Sequence, residues 1–343
     1  NATGSPLSPV QNSQLLIGCA AADTVTATDS SVYFVGQSKV SGQAYGAGFS
    51  VYKLSGMTPE KISTDSLERL LNADGLANSW GYTCNILGHT VYVINLPTTG
   101  VSLAYDLSNS KWYFYTTTTA GTAKSVSALI CAAQYAGSTT GTATATSTAH
   151  GFSDGDPVTI AGATPSGYNG TFNITYVDAN TFTYPTATVL ANATGTITAT
   201  GNTESNMQLL TPCQFGSLQL FQGQSDGKIY QMSDTTYQDN GQYINSKIRT
   251  KRWDGAEKDL GSKPKFLPYL DVVTDRTSST AYVRYTDDDY QTYSHYRSVD
   301  LSLSRSRLTR LGRFIRRAFE VRHTDSKAFR FQGLDLPIEQ GQE

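Results

Sequence analysis

The alternation of apolar and polar positions along this chain is that of β-strands joined by tight turns, broken by one helical stretch. Residues 23–28 alternate up to an Asp29-Ser30 turn, Val32-Tyr-Phe-Val35 follows, a glycine-rich hairpin is expected from Gly42 to Gly48, and Phe49 to Leu54 alternates again. Strands so spaced make one four-stranded sheet of the kind that forms a propeller blade. From Pro59 to Asn72 the period changes. Leu67, Leu70 and Leu71 share one helical face, Asp65 and Glu68 occupy the first turn, and Ser63-Thr64 supply a cap. The spacing predicts a short helix over residues 63–71, packed on a blade edge.

A second unit reads as strands over 84–89, 90–96, 101–105 and 112–115, with turns at 97–100 and 106–111. Its cycle of strand, Tyr-Asp turn and Trp strand is similar to kelch-type blades. Leu218-Gln-Leu-Phe221, the hairpin signals Gly223 and Asp226-Gly227, and Ile229-Tyr-Gln-Met232 repeat the theme. A propeller, whose sheets bury their faces on neighbouring blades, accounts for this recurrence better than a sandwich. Residues 138–202 differ, being dominated by Thr, Ala and Gly, with short segments at 150–156, 158–165, 167–174 and 180–184 separated by turns. They resemble a small β-barrel module inserted in many phage structural proteins. Propeller patterns flank them, so they are expected to be a self-contained insertion projecting from a surface loop, where added length costs little entropy.

The fold class expected is mainly β: propeller-like blades over 1–137, the inserted small β-barrel module over 138–202, a propeller continuation over 203–250, and a C-terminal β domain over 251–343. A chain of 343 residues, 38% hydrophobic and 16% charged, suits two or three packed domains, and its 21 Tyr, 13 Phe and 30 Gly favour strands and turns. No apolar run approaches the roughly 18 residues that span a bilayer. Asn1 is followed by no signal peptide and no Met begins the chain, so an upstream part is expected. Cys19, Cys84, Cys131 and Cys213 are far apart, without C-x-x-C pairing or a nearby histidine. They read as buried reduced thiols of a protein made in a cytosol, and no metal or other cofactor is expected.

The net charge of −2 hides an asymmetry. Residues 247–330 carry about 19 Lys and Arg against about 11 Asp and Glu, leaving about −10 for the rest. The two parts should meet different partners.

Three features invite chemistry. Residues 286–293, Thr-Asp-Asp-Asp-Tyr-Gln-Thr-Tyr, have the spacing of an Asp-box, Ser/Thr-x-Asp-x-Gly-x-Thr-Trp, with Tyr290 in place of glycine and Tyr293 in place of tryptophan. Asp287, Asp288 and Asp289 also admit a calcium site or a catalytic carboxylate cluster, but calcium needs six or more oxygens and a later acidic ligand. In the structural reading Thr286, Asp288, Thr292 and Tyr293 form a turn whose carboxylate caps its own backbone. His89, His150, His295 and His323 have no Gly-x-Ser-x-Gly or His-Glu-x-x-His companion and read as packing and hydrogen-bonding residues. Arg305, Arg307, Arg310, Arg313, Arg316, Arg317 and Arg322 admit salt bridging between domains or subunits, DNA contact, or a solvated face. Leu301, Leu303, Leu308, Leu311, Phe314, Ile315, Phe319 and Val321 interleave with them, and Phe319-Glu-Val-Arg322 alternates like a strand with one buried face, so they are taken as candidate assembly contacts.

Phe34-Val-Gly36, Val51 to Gly56, Pro59 to Thr64, Gly88 to Pro97 and Tyr105-Asp-Leu with Trp112, then Gly223 to Tyr230, residues 286–293 and the Arg-dense run, resemble in this order the tail nozzle proteins of short-tailed bacteriophages. These are also called packaged-DNA stabilisation proteins, and the resemblance covers most of the chain outside 138–202. It implies a structural virion protein and no enzyme: a homohexameric ring below the portal and adaptor, made in the host bacterial cytoplasm. It further implies attachment of tail fibres or spikes, and a channel that genomic DNA traverses without specific binding. Two other classes are compatible with the strands. A carbohydrate- or receptor-binding propeller would use Tyr and Trp platforms, although Trp80, Trp112 and Trp253 are few; a glycan-cleaving enzyme would need a paired acid constellation that no residues supply.

Overall fold

The computed structural model describes residues 17–28, 30–38, 48–255 and 263–340. Asp29 of the first expected turn and most of the expected 42–48 hairpin lie outside the described residues. The fold is mainly β, with a propeller-like core, a small inserted β module and a C-terminal β domain. Two compact units comprise Asn1–Thr117 with Glu204–Thr235, and Thr118–Thr203 with Thr236–Glu343.

In the first unit one sheet orders Ile17–Cys19, Val32–Ser38, Phe49–Ser55 and Thr58–Lys61, with Thr26–Ala27 also paired to Val32–Ser38. Residues 22–24 are a 3-10 turn and not the start of a strand, because the Thr24 hydroxyl donates to the Ala21 carbonyl at 2.7 Å and accepts from the Val35 amide at 3.1 Å. The second sheet is an antiparallel meander of Trp80–Ile86, His89–Leu96, Val101–Asp106 and Lys111–Tyr115. A third comprises Leu209–Phe215, Leu218–Gly223 and Ile229–Gln231.

The strand His89–Leu96 explains how the sheets stack. Its Tyr92, Ile94 and Leu96 join Tyr33, Val35, Val51 and Leu103 in one core, while Val91 and Val93 join Tyr82, Cys84, Ala104 and Phe221 in another. A strand buried on both faces reads as an unbroken apolar run, which is the pattern of residues 91–94. The helix Asp65–Asp74 adds Leu67 and Leu71 to the first of these cores, with Leu70 partly buried, and ends at Gly75 in the left-handed region (φ 75°). Neither Ser63 nor Thr64 caps it as expected. Thr64 makes no side-chain cap, and the Ser63 hydroxyl serves the neighbouring strand, accepting from the Val51 amide at 3.0 Å and donating to Glu68 at 2.8 Å.

In the second unit the inserted module has two four-stranded sheets. One orders Lys124–Ser125, Thr198–Thr200, Pro157–Ala161 and Gly170–Asn173; the other orders Ala128–Ala133, Gly141–Thr146, Thr181–Thr186 and Thr175–Asp178. Residue 138, where the composition changes, lies in the turn between Ala128–Ala133 and Gly141–Thr146. The Thr-Ala repeat has a plain cause: along Gly141–Thr146 every alanine is buried and every threonine is not, so small residues let the sheets close while hydroxyls face outward.

The C-terminal domain is built on a sheet ordered Ser246–Arg249, Ala318–His323, Thr280–Thr286, Arg297–Asp300, with two three-stranded sheets centred on Lys265–Phe266 and Tyr269–Thr274. Leu270, Val272, Val283, Leu308, Phe319 and Val321 meet in its core. The expectation of one buried face for residues 319–322 is corrected. All of Ala318–His323 is buried, because the strand is central and its polar face is covered as fully as its apolar one.

The cysteines are free, but only Cys84 is buried; Cys131 is partly so, and Cys19 and Cys213 are exposed. The exposed pair lie on strands at the ends of their sheet orders. Burial pushes the Cys84 thiol up to about 12.

Candidate assembly surface and Asp-box turn

The connection from Thr280–Thr286 to Arg297–Asp300 is organised by one carboxylate. Asp288 Oδ1 accepts from the Thr286 hydroxyl (2.7 Å) and from the amides of Gln291 (3.1 Å) and Thr292 (2.9 Å). Its Oδ2 accepts from the Thr292 amide (3.0 Å) and hydroxyl (2.5 Å). These donors, led by Thr292, hold the carboxyl down at about 2. Asp289 and Tyr290 both have left-handed backbone, φ 57° and 69°, which is why glycine suits the second position. Tyr290 is secured there by its amide to the Thr286 hydroxyl (3.1 Å) and its own hydroxyl to the Thr250 carbonyl (3.0 Å). Tyr293 lays its ring 4.1 Å from the Arg284 guanidinium.

This arrangement leaves the three aspartates no common cation to bind. Asp288 turns inward to hydroxyls and amides, Asp287 pairs with Arg317, and Asp289 bridges Arg252 at 2.8 Å and Arg316 at 3.1 Å. No group of metal-ligating side chains occurs among the described residues.

The seven arginines divide by surroundings. Arg317 is buried under Tyr285, with its guanidinium 3.8 Å from the ring, and donates to both Asp287 oxygens at 2.7 Å and to the Leu311 carbonyl at 2.5 Å. Arg307 pairs in the same two-pronged way with Asp271 at 2.6 and 2.7 Å and stacks 3.4 Å over Tyr269. That pairing holds the Asp271 carboxyl below its ordinary range. Arg322 is buried between Asn245 (2.9 Å) and Asp156 of the module (3.2 Å). Arg305, Arg310, Arg313 and Arg316 are exposed. Arg313 lies opposite Phe266, and Ile315 beside it is exposed too.

Sequence reading missed Glu320. It is wholly buried in the central strand, with Arg249 at 2.5 Å on one oxygen, Arg284 at 2.8 Å on the other, and the Tyr296 hydroxyl donating to it. Burial opposes its charge, yet Tyr296 and the two arginines outweigh that and hold its carboxyl low. The signal available in sequence was a Glu inside an apolar strand, which demands paired cations.

The residues that sugar-binding or hydrolysis would require are committed elsewhere. The Trp80 indole donates to the Leu209 carbonyl (2.8 Å) and the Trp112 indole to the Ile62 carbonyl (2.9 Å), while Trp253 packs against Phe314. His89 pairs with Asp106, His150 with the Asp178 carbonyl, and His295 with Asp154. His323 approaches the Ser279 hydroxyl at 3.3 Å, but both are buried and Phe329 stacks on the imidazole.

Residues 2–142 match a family model described as Phage_stabilise: Bacteriophage P22 Gp10, beta-propeller. This agrees with the resemblance carried by the sequence motifs. Over those residues the chain is similar to the Phage_stabilise β-propeller family. Comparison with curated proteins gives no match. Among solved structures, "Phage phi92 endosialidase" is 12% identical, over 91% of this chain and 68% of that one, with a TM-score of 0.20. A "Glycoside hydrolase" is 9% identical, over 94% and 97%, with a TM-score of 0.18. Superpositions that poor bear on neither fold nor activity.

Proposed function

We propose that the chain is the tail nozzle of a short-tailed phage, a ring-shaped conduit that retains packaged DNA and releases it during ejection. The observation that carries this reading is the match of residues 2–142 to the tail-stabilisation propeller family. In it residues 1–117 and 204–235 form the conduit wall, 118–203 the insert, and 236–343 the domain through which copies and neighbours dock. The ring is a homohexamer, made in the host cytoplasm, meeting the tail adaptor on one side and fibres or spikes on the other. A duplex must slide without sticking, so modest negative charge along a channel serves it by repelling phosphates without a fixed grip. The acidic excess outside residues 247–330 is compatible with that lining.

Assembly contacts are then sought among the exposed Arg305, Arg310 and Arg313, and not among Arg307, Arg316, Arg317 and Arg322, which pair with carboxylates within the chain. The test compares Arg310→Ala with Arg313→Ala, made together, against wild type in ring formation by sedimentation and in duplex DNA titration over a salt series. Loss of rings with weak, unchanged DNA binding is expected. Tight DNA binding whose log-log salt slope approaches about 0.9 per phosphate, lost in the double variant while rings persist, would reject the assignment.

A further inference from the structure

A polar turn of the inserted module touches the C-terminal sheet. Asp154 Oδ2 accepts from the Tyr296 amide at 3.0 Å, and its Oδ1 lies 3.1 Å from His295 Nδ1 while accepting the module's own Tyr176 amide at 3.0 Å. Asp156 Oδ1 accepts from both terminal nitrogens of Arg322 at 3.2 Å, and its Oδ2 accepts from the Ser153 amide at 2.8 Å. Gly155 stands between them in left-handed backbone, φ 76°, and a Cβ there would come within 2.4 Å of the Tyr296 ring. Arg322 is only 3% exposed, and the nearby Glu320 is taken by Arg249 and Arg284.

The module is otherwise complete in itself. Leu129, Val158, Ile160, Tyr168, Phe182 and Tyr184 form its core, which includes no residue of the C-terminal domain. The chain enters and leaves by a narrow neck, where Gly121 donates its amide to the Gly201 carbonyl at 2.8 Å beside the paired strands Thr117–Ala120 and Asn202–Ser205. A body with its own apolar core, held elsewhere by charged and polar contacts, can part from its seat by exchanging those contacts for water.

We propose that the module is a latched arm. The Ser153 to Asp156 turn fastens it to the C-terminal sheet, and release lets it swing about the neck with both bodies folded, opening Arg322 to a carboxylate from a partner. The latch neutralises Arg322 from within until such a partner displaces it.

The experiment is amide hydrogen exchange on the full chain for wild type, Gly155→Ala, and Asp154→Ala with Asp156→Ala. The first variant removes no charge and obstructs seating; the second removes the carboxylates. Both should raise exchange at the Tyr296 amide and in the neck strands by about tenfold or more, the loss of a charge-assisted hydrogen bond. Protection within Thr181–Thr186 and Ala318–His323 should stay at the wild-type level, and high salt should raise Tyr296 exchange in wild type alone. Unchanged exchange at Tyr296 in both variants would overturn the latch. Protection lost together from the module strand and the central C-terminal strand would overturn the arm, showing one inseparable body.

Discussion

Arg317 and Asp287 form a lopsided ion pair: two hydrogen bonds of 2.7 Å join a guanidinium 2% exposed to a carboxylate 42% exposed. The cost of breaking it depends on which partner goes. Asp287→Ala strands a buried cation and should destabilise the C-terminal domain by about 3 to 5 kcal/mol. Arg317→Met removes the buried charge and fills much of its volume, leaving Asp287 to rehydrate, so about 1 to 2 kcal/mol is expected. Urea unfolding of the two variants checks the order; equal losses would contradict it.

Glu320 should make the same domain sensitive to acid. Its folded carboxyl is held low, so its contribution is full above the unfolded value and is lost as pH falls through the folded one. Glu320→Gln should therefore lower the thermal midpoint at pH 7, and the gap to wild type should narrow below about pH 4. A gap that persists or widens with acid would assign the effect to shape and not to charge. Glu320→Ala, which leaves Arg249 and Arg284 without their shared acceptor, should cost about 3 to 5 kcal/mol at neutral pH.

Asp288→Asn should loosen a turn and abolish nothing. With the carboxyl held down at about 2, the turn is fully charged at every pH where the protein would be handled. The variant should speed amide exchange at Gln291 and Thr292, the two amides it caps, and leave the sheet order intact. A polysaccharide depolymerase assay positive for wild type and negative for Asp288→Asn would defeat the structural role.

The helix offers a graded test of packing. Leu71 is wholly buried and Leu70 only partly, so Leu71→Ala should cost about 3 kcal/mol and Leu70→Ala about 1 kcal/mol. Denaturant titration reads both, and the reverse order would mean that the helix seats on its other face.

What could be read from sequence was mostly local. The meander Trp80–Ile86 to Lys111–Tyr115 follows from turn signals and runs of apolar residues that pair with the next strand along. Asp288 could be read because its donors lie within four residues. The arginines could not be sorted in this way. Arg307 finds Asp271, Arg317 finds Asp287 and Arg322 finds Asp156, separations no spacing rule reaches. Periodicity failed at Ala318–His323 for a related reason: a central strand has no solvent face, and Glu320 and Arg322 are polar only because distant partners neutralise them. Ser63 shows the limit at short range, where a hydroxyl with two possible duties took the strand amide over the helix end.

The neck of the module has a bearing on how such a chain can change over generations. Because Gly121 and Gly201 touch, a gene segment encoding everything between them can be spliced out or exchanged with its ends already adjacent, and the blades on either side need not move. The constraint on such a trade lies elsewhere, at Arg322. A lineage that discards the module loses the Asp156 carboxylate that pairs with this arginine and frees its position to change, so the insert and residue 322 should be inherited together.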